Sequence, residues 1–208
     1  MHADNHAGNT HCRARGVAGP YAVAVMLTAG LLFSQAVRAA DEPATAVLVL
    51  ETTVGQGTCD YSVPPSVPLG SVIPADFAAT GGSTVRTAPF DVRLSNCTGS
   101  PGAEQRPGLV FMGTVLSDNR AVFTDDPGKK VGFLFREGHY TGDLSAFWGR
   151  PEDTGVVTAG EISGQSQFQK GKVPADGTVI PYTVGFVADG RPGTGNVKAT
   201  VTIQISYR

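Results

Sequence analysis

The end of the chain constrains its fold more than any other stretch. Val201, Ile203, Ile205 and Tyr207 alternate with Thr200, Thr202, Gln204 and Ser206. Successive side chains of a β-strand point to opposite faces, so this segment reads as a strand with one apolar and one polar face. Thr, Val, Ile and Tyr all suit a pleated, half-buried surface. Chain ends fray unless they are tied down, so an end this apolar needs a cover.

Upstream, short apolar or alternating runs recur between Gly/Pro turns. Phe90, Val92 and Leu94 alternate with Asp91, Arg93 and Ser95. Leu109–Met112, Ala121–Phe123 and Val131–Phe135 are brief apolar runs, and Tyr182, Val184 and Phe186 alternate within Ile180–Ala188. Residues 61–70 hold three prolines within five positions, which suits an edge or a loop and not a central strand. Val67, Leu69 and Val72 still offer alternate apolar contacts. A single helical turn is expected at 76–82, ended by Gly81 and Gly82. The Gly-rich middle, 138–164, takes no clear assignment, and Asp189–Gly195 reads as a hairpin turn. Strands at this spacing, with almost no helical periodicity, predict an all-β sandwich or barrel. No internal repeat or linker divides residues 40–208, which predicts one domain.

Residues 1–39 read differently. Arg13 and Arg15 precede the apolar run Tyr21–Phe33, and small residues follow up to Ala39. This is the pattern of a secretory signal peptide, cut after Ala39 or one residue later. The run is shorter than the roughly 20 apolar residues of a membrane span, so no stable membrane insertion is expected. The remaining 169 residues carry 13 Lys and Arg against 17 Asp and Glu, a net charge of −4. That mild acidity argues against nucleic acid and anionic membrane as partners.

Cys12 leaves with the leader, and Cys59 and Cys97 remain. In an exported chain an even pair most simply forms one disulfide, contributing about 3–4 kcal/mol through loop closure. The rival, a metal site, lacks nearby histidines to complete a zinc set. Beyond the leader the only histidine is His139, in a Gly-containing turn, where it reads as a solvated loop residue. Asp125–Asp126 and Glu152–Asp153 lie in Pro turns without the regular oxygen series of a calcium loop. Gly190–Gly195 is Gly-rich but sits between strands, so it lacks the context of a nucleotide loop. Asn96-Cys97-Thr98 has the form of a glycosylation triplet but abuts the proposed disulfide. No catalytic constellation, cofactor site or metal site emerges, so the chain is expected to act by binding.

Several segments together resemble the subunits of chaperone–usher fimbriae. They are the early Cys59, the strand Phe90–Cys97 that delivers the second cysteine, Val110–Thr114, and Ile180–Ala188. After a Gly turn, 196–207 completes the set with tyrosine next to last. The resemblance covers residues 40–208 and rests on the order and spacing of these pieces. It implies an incomplete immunoglobulin-like β-sandwich that lacks its final strand. The resulting hydrophobic groove is bordered by the C-terminal strand. A periplasmic chaperone fills it first, and the N-terminal extension of a neighbouring subunit replaces that strand at the outer-membrane usher. Such a subunit ends at the cell surface in the fimbrium and supports adhesion.

Carried onto this chain, the resemblance gives a signal peptide at 1–39, a donor extension at 40–50 and a pilin domain at 51–208. Either Ala44, Ala46, Leu48 and Leu50, or the other register of Thr45, Val47 and Val49, would face the partner groove. Val47 onward also reads as the domain's own first strand. The groove side falls to Val201, Ile203, Ile205 and Tyr207, with the carboxylate of Arg208 held by the chaperone. Residues 40–54 depart from the family pattern in containing no glycine, and Pro43 sits inside the stretch. A tip or minor subunit with a receptor pocket is the competing reading. A secreted β-sandwich enzyme is disfavoured by the shortage of histidine.

Overall fold

A computed structural model describes residues 44–52 and 59–208; for 44, 45, 51 and 52 it describes the backbone alone. The expected signal peptide lies outside the described residues. Among the described residues there are eleven strands: β1 (Ala44–Thr52), β2 (Asp60–Ser62), β3 (Ser71–Val72), β4 (Gly82–Ser95), β5 (Pro107–Met112), β6 (Val115–Leu116), β7 (Asn119–Phe123), β8 (Val131–Glu137), β9 (Ile162–Ser163), β10 (Val179–Asp189) and β11 (Val197–Tyr207). They form two sheets, ordered β3-β1-β11-β5-β9 and β2-β4-β10-β8-β7-β6. All pairings are antiparallel except β1 with β11. The described residues lie in one compact unit.

The alternation read from the sequence sets which side chains meet between the sheets. Phe90, Val92 and Leu94 of β4, Phe133 and Phe135 of β8, and Ile180, Tyr182, Val184 and Phe186 of β10 are buried from one side. Leu109 and Phe111 of β5 and Val197, Ala199, Val201 and Ile203 of β11 meet them from the other. Phe135 is the hub, with edge or tilted contacts to Phe90, Phe111 and Phe123 at ring separations of 5.9, 5.3 and 5.4 Å. Such aromatic arrangements add to simple area burial. Tyr182 is fully buried, and its hydroxyl lies 2.9 Å from Ser163 Oγ, which donates to the Leu109 carbonyl at 3.2 Å. Burial pushes the Tyr182 phenol well above its ordinary range, so it serves as a neutral hydrogen-bonding group.

β10 is buried on both faces. Its outward Val187 packs with Leu116, Ala121, Val122, Leu134 and Phe147 in a second, smaller core. This explains much of the unassigned middle of the sequence: residues 138–156 cover the outer face of the larger sheet, with Tyr140, Phe147, Trp148 and Val156 packed on it, and Val157 then enters the main core. Arg136 fastens that cover. Its Nε donates to the Phe147 carbonyl at 2.9 Å and its Nη2 to the Trp148 carbonyl at 3.2 Å. Gly185 makes room for it, since a Cβ there would stand 2.2 Å from the Phe147 ring.

Two local expectations are corrected. Asp189–Gly195 is not a hairpin turn, because β10 and β11 lie in opposite sheets. Both edges of β10 are already taken by β4 and β8, and its apolar face meets that of β11 across the core, so the loop crosses between sheets. The helical turn falls at Pro74–Asp76 instead of 76–82. Pro74 pre-sets its first residue, and the Asp76 carboxylate accepts the Ile73 N–H at 3.0 Å.

In β1, Leu48 is buried in the main core, Ala46 and Leu50 pack against it, and Val47 points outward at 45% exposure. The even-numbered register therefore faces inward in this structure.

Truncating the hub, Phe135→Ala, is expected to cost about 3–5 kcal/mol. Tyr182→Phe removes one buried hydrogen bond and is expected to cost about 1 kcal/mol. Urea unfolding with the disulfide intact measures both, and equal losses would contradict the proposed hub. For β1, Leu48→Asp buries an unpaired charge and should cost about 2–4 kcal/mol, while Val47→Asp should stay within about 0.5 kcal/mol. The reverse order would mean that the other register faces the core.

Candidate assembly groove

β11 enters the site through its own alternation. Val197, Ala199, Val201 and Ile203 point into the core, and Ile205 and Tyr207 are half-buried. One backbone edge of β11 is covered by β5, in register from Thr202↔Met112 to Tyr207↔Pro107. Before that ladder begins, a loop takes over. The Asp125 N–H donates to the Lys198 carbonyl at 2.8 Å, and the Asp125 carboxylate accepts the Thr200 N–H at 2.8 Å. The chain end is tied down by paired backbone bonds, Arg106 N–H to Arg208 O at 2.7 Å and Arg208 N–H to Arg106 O at 3.2 Å.

The other edge of β11 defines the groove. The strand beside it is β1, in parallel register from Ala46↔Val197 through Leu48↔Ala199 and Leu50↔Val201 to Thr52↔Ile203. Beyond β1 lies β3, which joins the sheet only through β1, at Ala44↔Val72 and Thr45↔Ser71. Residues 59–208 alone therefore leave a strand-wide gap between β3 and β11. Into that gap faces an apolar floor that includes Val197, Ala199, Val201 and Ile203.

The far wall is the Pro-rich stretch. β2 pairs with β4 only at Arg93–Ser95, after which the chain leaves that sheet and crosses to β3. The prolines prevent regular pairing along the way, while Val67, Leu69 and Val72 are buried in the main core. The Tyr61 hydroxyl donates to the Ile203 carbonyl, which bridges this wall to β11. The start of the wall is pinned by a disulfide between Cys59 and Cys97. Nearby, Asn96 Nδ2 donates to Asp60 at 2.9 Å and the Cys97 N–H donates to Asp176 at 3.0 Å.

Of the residues expected on the two sides, the structure sets Leu50 beside Val201, while Ala46 and Leu48 stand beside Val197 and Ala199 and Ile203 stands beside Thr52. Ala44 lies on the same strand opposite Val72. Ile205 and Tyr207 lie past the end of the β1 ladder, and Arg208 is exposed. The sequence reading missed Val197, Ala199 and Tyr61. The first two extend the period-two alternation of Val201 backwards, a signal that was present in the sequence; the reach of Tyr61 to a carbonyl 142 residues away was not.

Among the described residues the groove is apolar and carries no titratable constellation. Among the described residues no three His, Cys, Asp or Glu side chains converge as a metal site. A separate cleft of about 580 Å³ opens between residues 62–68 and the edge of β4, with Asp91 and Arg93 in its lining. There Asp91 pairs with Arg93 at 3.5 Å and with His139 at 3.0 Å. What the groove can do is take up an extended strand, through backbone hydrogen bonds along β11 and apolar side chains at alternate positions.

A sequence model described as "Fimbrial protein" matches residues 48–208. No curated protein is matched at the sequence level. Among solved structures, the chain is similar to the P pilus rod subunit PapA, with 20% identity and a TM-score of 0.48 over 73% of this chain and 99% of that one. It is also similar to a Burkholderia pseudomallei antigen and type I fimbria protein, with 19% identity and a TM-score of 0.39 over 78% of this chain and 92% of that one. The sequence match spans well over half of the chain, the strand-wide gap included, and the chain belongs to the fimbrial protein family, as a structural, non-enzymatic subunit.

Proposed function

We propose that this subunit polymerises by donor-strand exchange, with residues 40–50 of one copy lying along β11 of the next. The observation that carries this reading is the gap between β3 and β11, one strand wide and floored by apolar side chains. Unpaired strand edges and exposed apolar grooves promote aggregation, so the gap has to be filled at every stage of the subunit's life. Residues 44–50 have the right chemistry for it, because Ala46, Leu48 and Leu50 already pack against that core.

In this proposal residues 1–39 direct export, and a periplasmic chaperone lends a strand to the groove and holds the Arg208 carboxylate. The outer-membrane usher is then where the N-terminal extension of a neighbouring subunit takes the chaperone's place. The assembled fimbrium supports adhesion at the cell surface. Residues 40–50 act as the donor strand, with Ala44, Ala46, Leu48 and Leu50 inward, and Val201, Ile203, Ile205 and Tyr207 receive it.

Deleting residues 40–50 is expected to leave export and chaperone capture intact while abolishing SDS-resistant multimers, read as ladders on unboiled gels. Persisting ladders would contradict donor-strand exchange. Replacing Ile203 and Ile205 together with Asp places charge in the groove and should abolish co-purification with the chaperone. A soluble double variant that no longer needs a chaperone would show that the groove is not where the chaperone binds.

A further inference from the structure

The groove is occupied here by the chain's own N-terminal segment. β1 pairs with β11 over seven consecutive positions, Ala46↔Val197 to Thr52↔Ile203, and buries Leu48 in the core. We infer that the unassembled subunit closes its own groove with residues 44–52, and that this closure holds the subunit in a latent state. The inference rests on the donor-strand reading above.

Connectivity dictates the direction of this closure. Thr52 stands beside Ile203, and Tyr61 bonds the carbonyl of that same Ile203. Leaving and returning at one level of β11 asks little reach of the connection from Thr52 to Tyr61. In the opposite direction Thr52 would stand beside Val197, roughly 20 Å along the strand at 3.3 Å per residue. The nine steps from Thr52 to Tyr61 span at most about 30 Å when fully extended, so that direction would take up most of the connection's reach. A tethered segment therefore enters parallel to β11, as it does here.

A second copy's segment carries no such tether and is free to enter antiparallel, the slightly more stable pairing per residue. The two modes exclude each other, because both use the same edge of β11 and the same inward side chains. The tethered segment has the advantage of an effective concentration in the millimolar range. Self-closure therefore protects the monomer and slows exchange, while leaving the exchanged state the better-paired one.

Val47 and Lys198 test this directly, since they are register partners and both are exposed. In the mature chain with Val47→Cys and Lys198→Cys, oxidation should give a monomeric intramolecular cross-link. Its rate should not change over a roughly hundred-fold dilution, as expected of a first-order process. The locked monomer should fail to bind a synthetic peptide of residues 40–54 and fail to form SDS-resistant multimers, and reduction should restore both. Cross-linking that yields only dimers and larger species, with a rate that falls on dilution, would overturn self-closure while leaving donor-strand exchange standing. So would a locked monomer that takes up the peptide as fast as the reduced one. If the intramolecular link forms but the reduced protein neither binds the peptide nor multimerises, self-closure stands and donor-strand exchange falls.

Discussion

The backbone edge of β11 that β5 does not cover is the constraint on which the rest of the structure depends. A central strand with one bare edge leaves N–H and C=O groups without partners, at a cost comparable to lost hydrogen bonds. Val197, Ala199, Val201 and Ile203 cannot turn to solvent to relieve it, because their side chains form part of the main core. Some strand must lie there. In this structure it is β1, and β3 depends on β1 in turn for its place in the sheet. Under the proposed strand exchange, the capacity to assemble follows from a defect in the sandwich, and no specialised reactive group is needed.

The rest of the molecule holds that edge rigid. The cluster around Phe135 fixes the spacing between sheets, and the disulfide pins the start of the far wall beside the end of β4. Asp125 finishes the opposite edge of β11 where β5 stops, and the bonds between Arg106 and Arg208 keep the chain end from fraying. On the outer face of the larger sheet, Arg136 and the cover of residues 138–156 bury β10 from behind. A groove with firm walls is a better receptor for an extended strand than a flexible one, because less order is lost on binding.

Much of this was legible in the sequence because a strand's period of two is a local signal. The alternations at Phe90–Leu94, Tyr182–Phe186 and Val201–Tyr207 each gave an inward face, and Cys59 and Cys97, the two cysteines outside the expected leader, gave one pairing. The register of β1 was ambiguous for a physical reason: 44–50 is aliphatic at nearly every position, so alternation alone does not separate its faces. Burial of Leu48 and exposure of Val47 separate them in the structure. The crossover after β10 was misread because a Gly/Pro loop between two strands looks the same whether it joins partners or opposite sheets. The 138–156 cover was illegible because its shape comes from Arg136 and Gly185, both distant in sequence from parts of what they hold. That the receiving edge and a segment able to fill it belong to one chain was visible only in three dimensions.

Hydrogen exchange along β11 tests the central claim most directly. In the full mature chain, the amides of Val197–Ile203 that face away from β5 should be protected, and deleting residues 40–52 should make them exchange orders of magnitude faster. Adding a peptide of residues 40–54 to the truncated chain should restore protection at those amides. Protection that survives the deletion unchanged would mean that the edge of β11 is covered by something other than an N-terminal strand, and would contradict the account.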